Sequence, residues 1–91
     1  MKYISKDRYF HQAKREGYRA RSAYKLQAIQ ERFHILKPGD NVLDLGAAPG
    51  SFLQYVSGII GPRGLAVGVD ITPIKPFEQK NIITFVADVT D

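Results

Sequence analysis

The stretch Val42–Phe52, VLDLGAAPGSF, decides the fold. Its opening, Asn41–Leu45 (NVLDL), is apolar and short, as a strand in a sheet interior is. Gly46–Gly50 (GAAPG) then interrupts it as a glycine and proline loop. Ser51–Ile60 (SFLQYVSGII) reads as a helix starting near Ser51, with Phe52, Val56, Ile59 and Ile60 as its buried stripe. Gly61-Pro62-Arg63-Gly64 is a turn. Leu65–Asp70 (LAVGVD) is a strand of the near-continuous apolar kind expected when both faces are covered. Pro73 and Pro76 make residues 71–81 a loop or a broken helical turn. Ile82–Ala87 (IITFVA) is a third strand. Strand, loop, helix, strand and a further strand predict an α/β fold, with a parallel sheet built by right-handed crossovers and flanking helices.

Upstream, Lys37-Pro38-Gly39-Asp40 is a turn. Ser22 is placed to cap a helix over Ala23–Phe33, where Ala23, Leu26, Ile29 and Phe33 recur on one face. Residues 1–21 have weak periodicity and predict a turn or short helix ending near Gly17.

The chain has 91 residues, enough for one small domain. Hydrophobic residues make up 44% and charged residues 24%, which argues against wholesale disorder. The absence of cysteine excludes disulfide scaffolds and Cys-ligated zinc or iron–sulfur sites. No apolar run approaches the roughly 20 residues that span a bilayer. Met1–Phe10 does not read as a signal peptide, so a cytoplasmic location is expected.

The charge is divided unevenly. Residues 1–37 hold ten lysines and arginines against three acids, a net +7. Residues 38–91 hold three bases against six acids, a net −3. A basic arm on an acidic body suggests a polyanion as the arm's partner. Lys14, Arg15, Arg19 and Arg21 are the candidate phosphate contacts, with plain solvated charge as the alternative. Tyr3, Tyr9, Phe10, Tyr18 and Tyr24 lie among the cations. They either stack on unpaired bases or pack on the body.

Three acids fall at or near strand carboxyl ends: Asp44, Asp70 and Asp88. Parallel sheets place ligands there. Any one Asp can also be a turn former or helix cap, but three beside a glycine-rich loop favour a binding rim. The loop lacks the G-x-G-x-x-G spacing of dinucleotide sites and the G-K-[ST] of nucleotide-phosphate loops. It has no cation, Pro49 has no N–H, and the acids would repel phosphate. A phosphate-free cation suits it better. S-adenosylmethionine has a sulfonium, an ammonium, a ribose diol and an adenine amine. Asp70 is placed for the ribose hydroxyls, Asp88 for the adenine amine, and Asp44 for a negative field at the methionine end. Gly46 and Gly50 would let the backbone approach the ligand closely. His11 and His34 are isolated, so no metal is expected.

SAYKL (Ser22–Leu26), LKPGD (Leu36–Asp40) and VLDLGAAPGSF (Val42–Phe52) together resemble the FtsJ/RrmJ family, over about residues 15–91. The resemblance implies a Rossmann-like S-adenosylmethionine-dependent methyltransferase fold. It implies a ribose 2′-O-methyltransferase of the bacterial RlmE type, acting on a uridine of 23S-type ribosomal RNA in the large subunit. Residues 1–21 would be an RNA-facing segment and residues 22–91 the amino-terminal half of the methyltransferase domain. Gly50 and Phe52, with Pro49 between the glycines, would wrap the methionine part. Asp70 would bind the ribose and Asp88 the adenine. Lys25 would be the first member of the family's Lys-Asp-Lys-Glu set around the target hydroxyl.

The sequence departs from the family at Ser51-Phe52, where Gly-Trp is common, and in a loosely matching stretch over residues 71–80. The later Asp, Lys and Glu have no counterpart in this chain. The 91 residues alone are therefore expected to be catalytically silent, with one edge and part of the faces of the sheet uncovered. A methyltransferase for another acceptor and a non-catalytic RNA-binding module are the alternatives. A nicotinamide dehydrogenase is disfavoured by the loop spacing.

Overall fold

Residues 6–90 are described by a computed structural model. The elements run α1 (Lys6–Glu16), α2 (Ala23–Phe33), β1 (Asn41–Leu45), α3 (Ser51–Ile60), β2 (Leu65–Asp70) and β3 (Ile82–Val86). The three strands form one parallel sheet in the order β1-β2-β3. The α/β architecture is thus the expected one. β3 is one residue shorter than expected, and residues 71–81 are loop. Of the turn or short helix expected before Gly17, the structure has the helix, 11 residues long.

The core lies between α3 and one face of the sheet. Leu53, Val56, Ile60, Ala47 and Ala66 are buried there, with Leu26, Leu36, Val42, Ile74, Phe77 and Ile82 packed around them. Gly68 makes the close approach possible: a Cβ there would lie 2.5 Å from a Leu53 methyl and 3.0 Å from the Ala47 Cβ.

The helix stripes differ from expectation. In α3 the buried set is Ser51, Leu53, Val56, Ser57 and Ile60, while Phe52 and Ile59 flank it half-buried. Ser57 can stand in the stripe because its hydroxyl donates to Asn81 Oδ1 at 2.5 Å. In α2 the inward residues are Ala23, Leu26 and Gln30, whereas Ile29 and Phe33 are exposed. Gln30 is buried because its amide pairs with the backbone of Leu36 in both directions, at 2.8 Å each. Ser22 does precede α2, but its side chain makes no cap hydrogen bond. Its Oγ instead meets Ser51 Oγ at 2.6 Å.

The faces are partly uncovered, as expected of these 91 residues alone, although the composition of β2 by itself implies cover on both sides. Among the described residues α3 covers one face, and Leu43, Leu45, Ile83 and Phe85 on the other are exposed.

Candidate functional site

Parallel register puts all three strand carboxyl ends on one rim, with Asp44 opposite Gly68 and Asp70 opposite Val86. The loop after β1 is zipped to the end of β2. Gly46 and Ala47 N–H donate to the Val69 carbonyl at 2.8 and 3.2 Å. Ala48 N–H donates to Asp70 Oδ2 at 2.9 Å. The other oxygen, Asp70 Oδ1, accepts the Thr72 N–H at 2.9 Å. Asp70 therefore joins the loops that follow β1 and β2. These amides, Thr72 first and Ala48 next, hold its carboxyl below the ordinary carboxylate range.

Asp88 stands two residues beyond β3. Its Oδ1 accepts the Thr90 hydroxyl at 2.6 Å and the Thr90 N–H at 2.9 Å. The hydroxyl and then the amide hold its carboxyl low. Asp44 behaves oppositely. Burial, and then the charge of Asp70, push its carboxyl up.

Besides a cleft of about 610 Å³ between the two loops, lined by Arg19, Pro49 and Thr72 among others, two smaller clefts open along this rim. One, of about 250 Å³, is lined by Ser22, Asp44, Gly46, Pro49, Ser51 and Phe52 among others. The other, also about 250 Å³, is lined by Gly46, Asp70, Ile71, Ala87, Asp88 and Thr90 among others. Gly46 belongs to both. The structure thus brings together Asp44, Gly46, Pro49, Phe52, Asp70 and Asp88. Gly50 lines neither cleft; it is buried, at φ 110°. Its missing Cβ leaves room for the Phe77 ring.

The clefts are chemically suited to a cation. The loop N–H groups from Gly46 to Ala48 are engaged by β2, and Pro49 has none. Three carboxylates line the two clefts, and the charge of Asp70 adds repulsion to the burial that raises Asp44. A ligand with positive charge relieves it; an anion would intensify it. A larger cleft of about 570 Å³ lies at the opposite ends of the strands, around Ser57, Gly61 and Asn81. It holds none of the expected site residues.

Lys25 is exposed in the first turn of α2, and the Ser22–Ser51 contact seats that helix start beside the Asp44 cleft. Lys14, Arg15 and Arg21 are exposed, with the Lys14 ammonium 4.8 Å from the Phe10 ring centre. Arg19 is placed differently. Its Nη1 donates to the carbonyls of Pro49 at 3.0 Å and Lys75 at 2.6 Å, and its Nη2 to that of Pro76 at 2.6 Å. The guanidinium carbon also lies 3.7 Å from the Phe77 ring centre.

The aromatics of the arm pack largely on one another. Tyr24 stacks on Tyr9 and meets Tyr18 edge-on, both at 5.6 Å between ring centres. Its hydroxyl donates to Glu16 Oε2 at 2.7 Å, and burial with that bond pushes its pKa up to about 12. Phe10 remains exposed; Tyr3 lies outside the described residues. His11 sits edge-on to Phe10, and His34 closes the end of α2 with a left-handed backbone. Among the described residues no cluster of His, Cys, Asp and Glu could hold a metal, and no helix is long and apolar enough to cross a membrane.

Sequence reasoning missed Ser22, Ser51, Gln54 and Phe77 as builders of the site. Gln54 accepts the Arg19 N–H at 2.8 Å and donates to the Gly17 carbonyl at 3.0 Å, pinning the α1–α2 junction to α3. The Ser22 and Ser51 hydroxyls are expected as helix starts, and only their mutual bond is new. Phe77 has no local signal, because it lies in a loop marked only by its prolines.

Residues 18–91 match the FtsJ-like methyltransferase family. The chain is 53% identical over 91 residues to the ribosomal RNA large subunit methyltransferase E of Syntrophobacter fumaroxidans, covering all of this chain and 46% of that protein. It is 53% identical over 87 residues to the protein of the same name from Myxococcus xanthus, covering 96% of this chain and 41% of that one. The chain thus spans under half the length of these curated relatives. Among solved structures, it is similar to a putative ribosomal RNA methyltransferase from Plasmodium falciparum. That match has TM-score 0.62 and 28% identity, covering 75% of this chain and 38% of the other.

Proposed function

We propose that this chain, which belongs to the FtsJ-like methyltransferase family, binds S-adenosylmethionine across its carboxyl-end rim as part of a ribose 2′-O-methyltransferase. The target we infer is a uridine of 23S-type ribosomal RNA in the large subunit, which places the work in the cytoplasm. One observation carries the reading: Asp44, Gly46, Asp70 and Asp88 converge on two clefts that share a glycine.

The cofactor, when bound, supplies a methyl group on a cationic sulfur. Asp70 accepts the ribose hydroxyls. Asp88 accepts the adenine amine through the oxygen that Thr90 does not use. Asp44 supplies negative field at the cationic end. Pro49 and Phe52 wall the methionine side, and Gly50 keeps that wall close to the cleft. Lys25 stands on the acceptor side and orients the hydroxyl that is to be methylated. Lys14, Arg15 and Arg21, in a segment reaching to residue 21, hold RNA phosphates. Residues 22–91 carry the cofactor half. Positioning of two reactants is the main contribution such a cleft makes.

The test is equilibrium dialysis of the chain against radiolabelled S-adenosylmethionine, for the wild type and for Asp70→Asn. An Asn cannot accept at both positions that receive Ala48 and Thr72, so affinity should fall by about tenfold or more. Unchanged affinity in the variant would remove Asp70 from the site. RNA binding without any cofactor binding by the wild type would favour an RNA-binding module instead.

A further inference from the structure

Arg19 sits among the expected RNA contacts, yet its half-buried side chain lies across the two loops of the rim. Five interactions converge on this residue. Its backbone N–H is held by Gln54. Its two terminal nitrogens reach three carbonyls, one in the loop after β1 (Pro49) and two in the loop after β2 (Lys75 and Pro76). Its plane covers Phe77, whose ring fills the space beside Gly50. Burial lowers its pKa from the ordinary value.

We propose that Arg19 is a positioning residue: it latches the loop Gly46–Gly50 to the loop 71–77 and so sets the two walls of the rim before any ligand arrives. This rests on the reading of the rim as a cofactor site. The chemistry favours arginine in particular. A planar guanidinium can direct N–H groups to several carbonyls in fixed directions while stacking on an aromatic face. A lysine ammonium keeps the charge but not the fork or the stacking plane. The same two loops are joined on their other side by Asp70, through Ala48 and Thr72. Arg19 and Asp70 therefore brace one pair of loops from both sides, one with donors and one with acceptors. Because Arg19 belongs to the α1–α2 junction, the basic arm is fastened to the cofactor walls by the same contact.

The discriminating variant is Arg19→Lys, with Arg19→Ala beside it and circular dichroism to confirm the fold of each. A phosphate contact needs the charge, so on that role the lysine variant behaves like the wild type. On the latch role both variants lose S-adenosylmethionine affinity alike, by about tenfold, while Arg19→Lys retains the wild-type salt dependence of RNA binding. Cofactor affinity in Arg19→Lys equal to the wild type overturns the proposal. Amide hydrogen exchange on the ligand-free chain tests the latch independently of the cofactor. The Ala48 and Thr72 amides should exchange at least about tenfold faster in Arg19→Lys, with the central β2 amides unchanged. Unaltered exchange at Ala48 and Thr72 overturns the latch even if the wild type binds cofactor. A wild type that binds no cofactor, with exchange accelerated as stated, keeps the latch and refutes the cofactor reading.

Discussion

Under α3 the sheet is closed: Leu53 and Ala66 are 0% exposed. On the opposite face Leu43 is 61% and Phe85 56% exposed, although these residues are no less apolar. The difference shows that strand composition states how many faces a sheet can bury, while the layer present decides which face is buried. The covered face also carries the site. Asp44 is two residues from Val42 and so shares its α3 side, beside the loop that runs into that helix. The open face carries no charged residue among the exposed strand positions Leu43, Leu45, Ile83 and Phe85.

The contrast can be broken most sharply at Leu53. Leu53→Ala should cost about 3–4 kcal/mol in urea unfolding, since it empties a fully enclosed site. A loss under about 1 kcal/mol would mean that α3 is not seated as described. Next comes Asn81, which fastens the far end of α3. Its Nδ2 donates to the carbonyls of Ser57 at 3.1 Å and Gly61 at 2.9 Å, while its Oδ1 receives the Ser57 hydroxyl. Asn81→Ala should cost about 2 kcal/mol and leave cofactor affinity within about twofold, because the staple lies at the amino ends of the strands.

Asp44→Asn should act with the opposite sign on stability. The folded state raises this carboxyl, so its ionised form opposes folding above the raised pKa and ceases to do so as pH falls through it. The variant should therefore be more stable at neutral pH, by at most about 0.5 kcal/mol after solvent screening. The gain should vanish in acid, and binding of a cationic cofactor should weaken. Parallel pH series of thermal unfolding for both proteins check this. The smallest effect belongs to the open face: Phe85→Thr should change stability by no more than about 0.5 kcal/mol. A larger loss would show that this face is covered in solution.

Much of the site was legible because its residues lie next to local signals. Asp44 and Asp70 are marked by strand ends, and Gly46, Pro49 and Gly50 by the break in the apolar pattern. The acids near the strand ends point to one rim because parallel strands share a direction. The helix faces were less legible. Ile29 and Phe33 fit a helical stripe in α2, yet the turn that meets α3 carries Gln30, a polar side chain whose partner, Leu36, lies beyond the helix. Ser57 was passed over in α3 for the same reason, since Asn81 is 24 residues away.

The amino-acid sequence by itself determined the order of elements, the parallel sheet and the rim on which the acids gather. Those follow from periodicity, glycine and proline placement and the handedness of crossovers, all of them local or topological. Only the tertiary structure decided that Ser22 binds Ser51 rather than its own helix, that Gln30 is buried and Phe33 is not, and that Arg19 reaches across to three carbonyls. Each of those outcomes is a hydrogen bond or ring contact between groups distant in the chain or beyond the element's own period. A buried polar group takes whichever partner the packed elements bring within reach, and that cannot be read before they are packed.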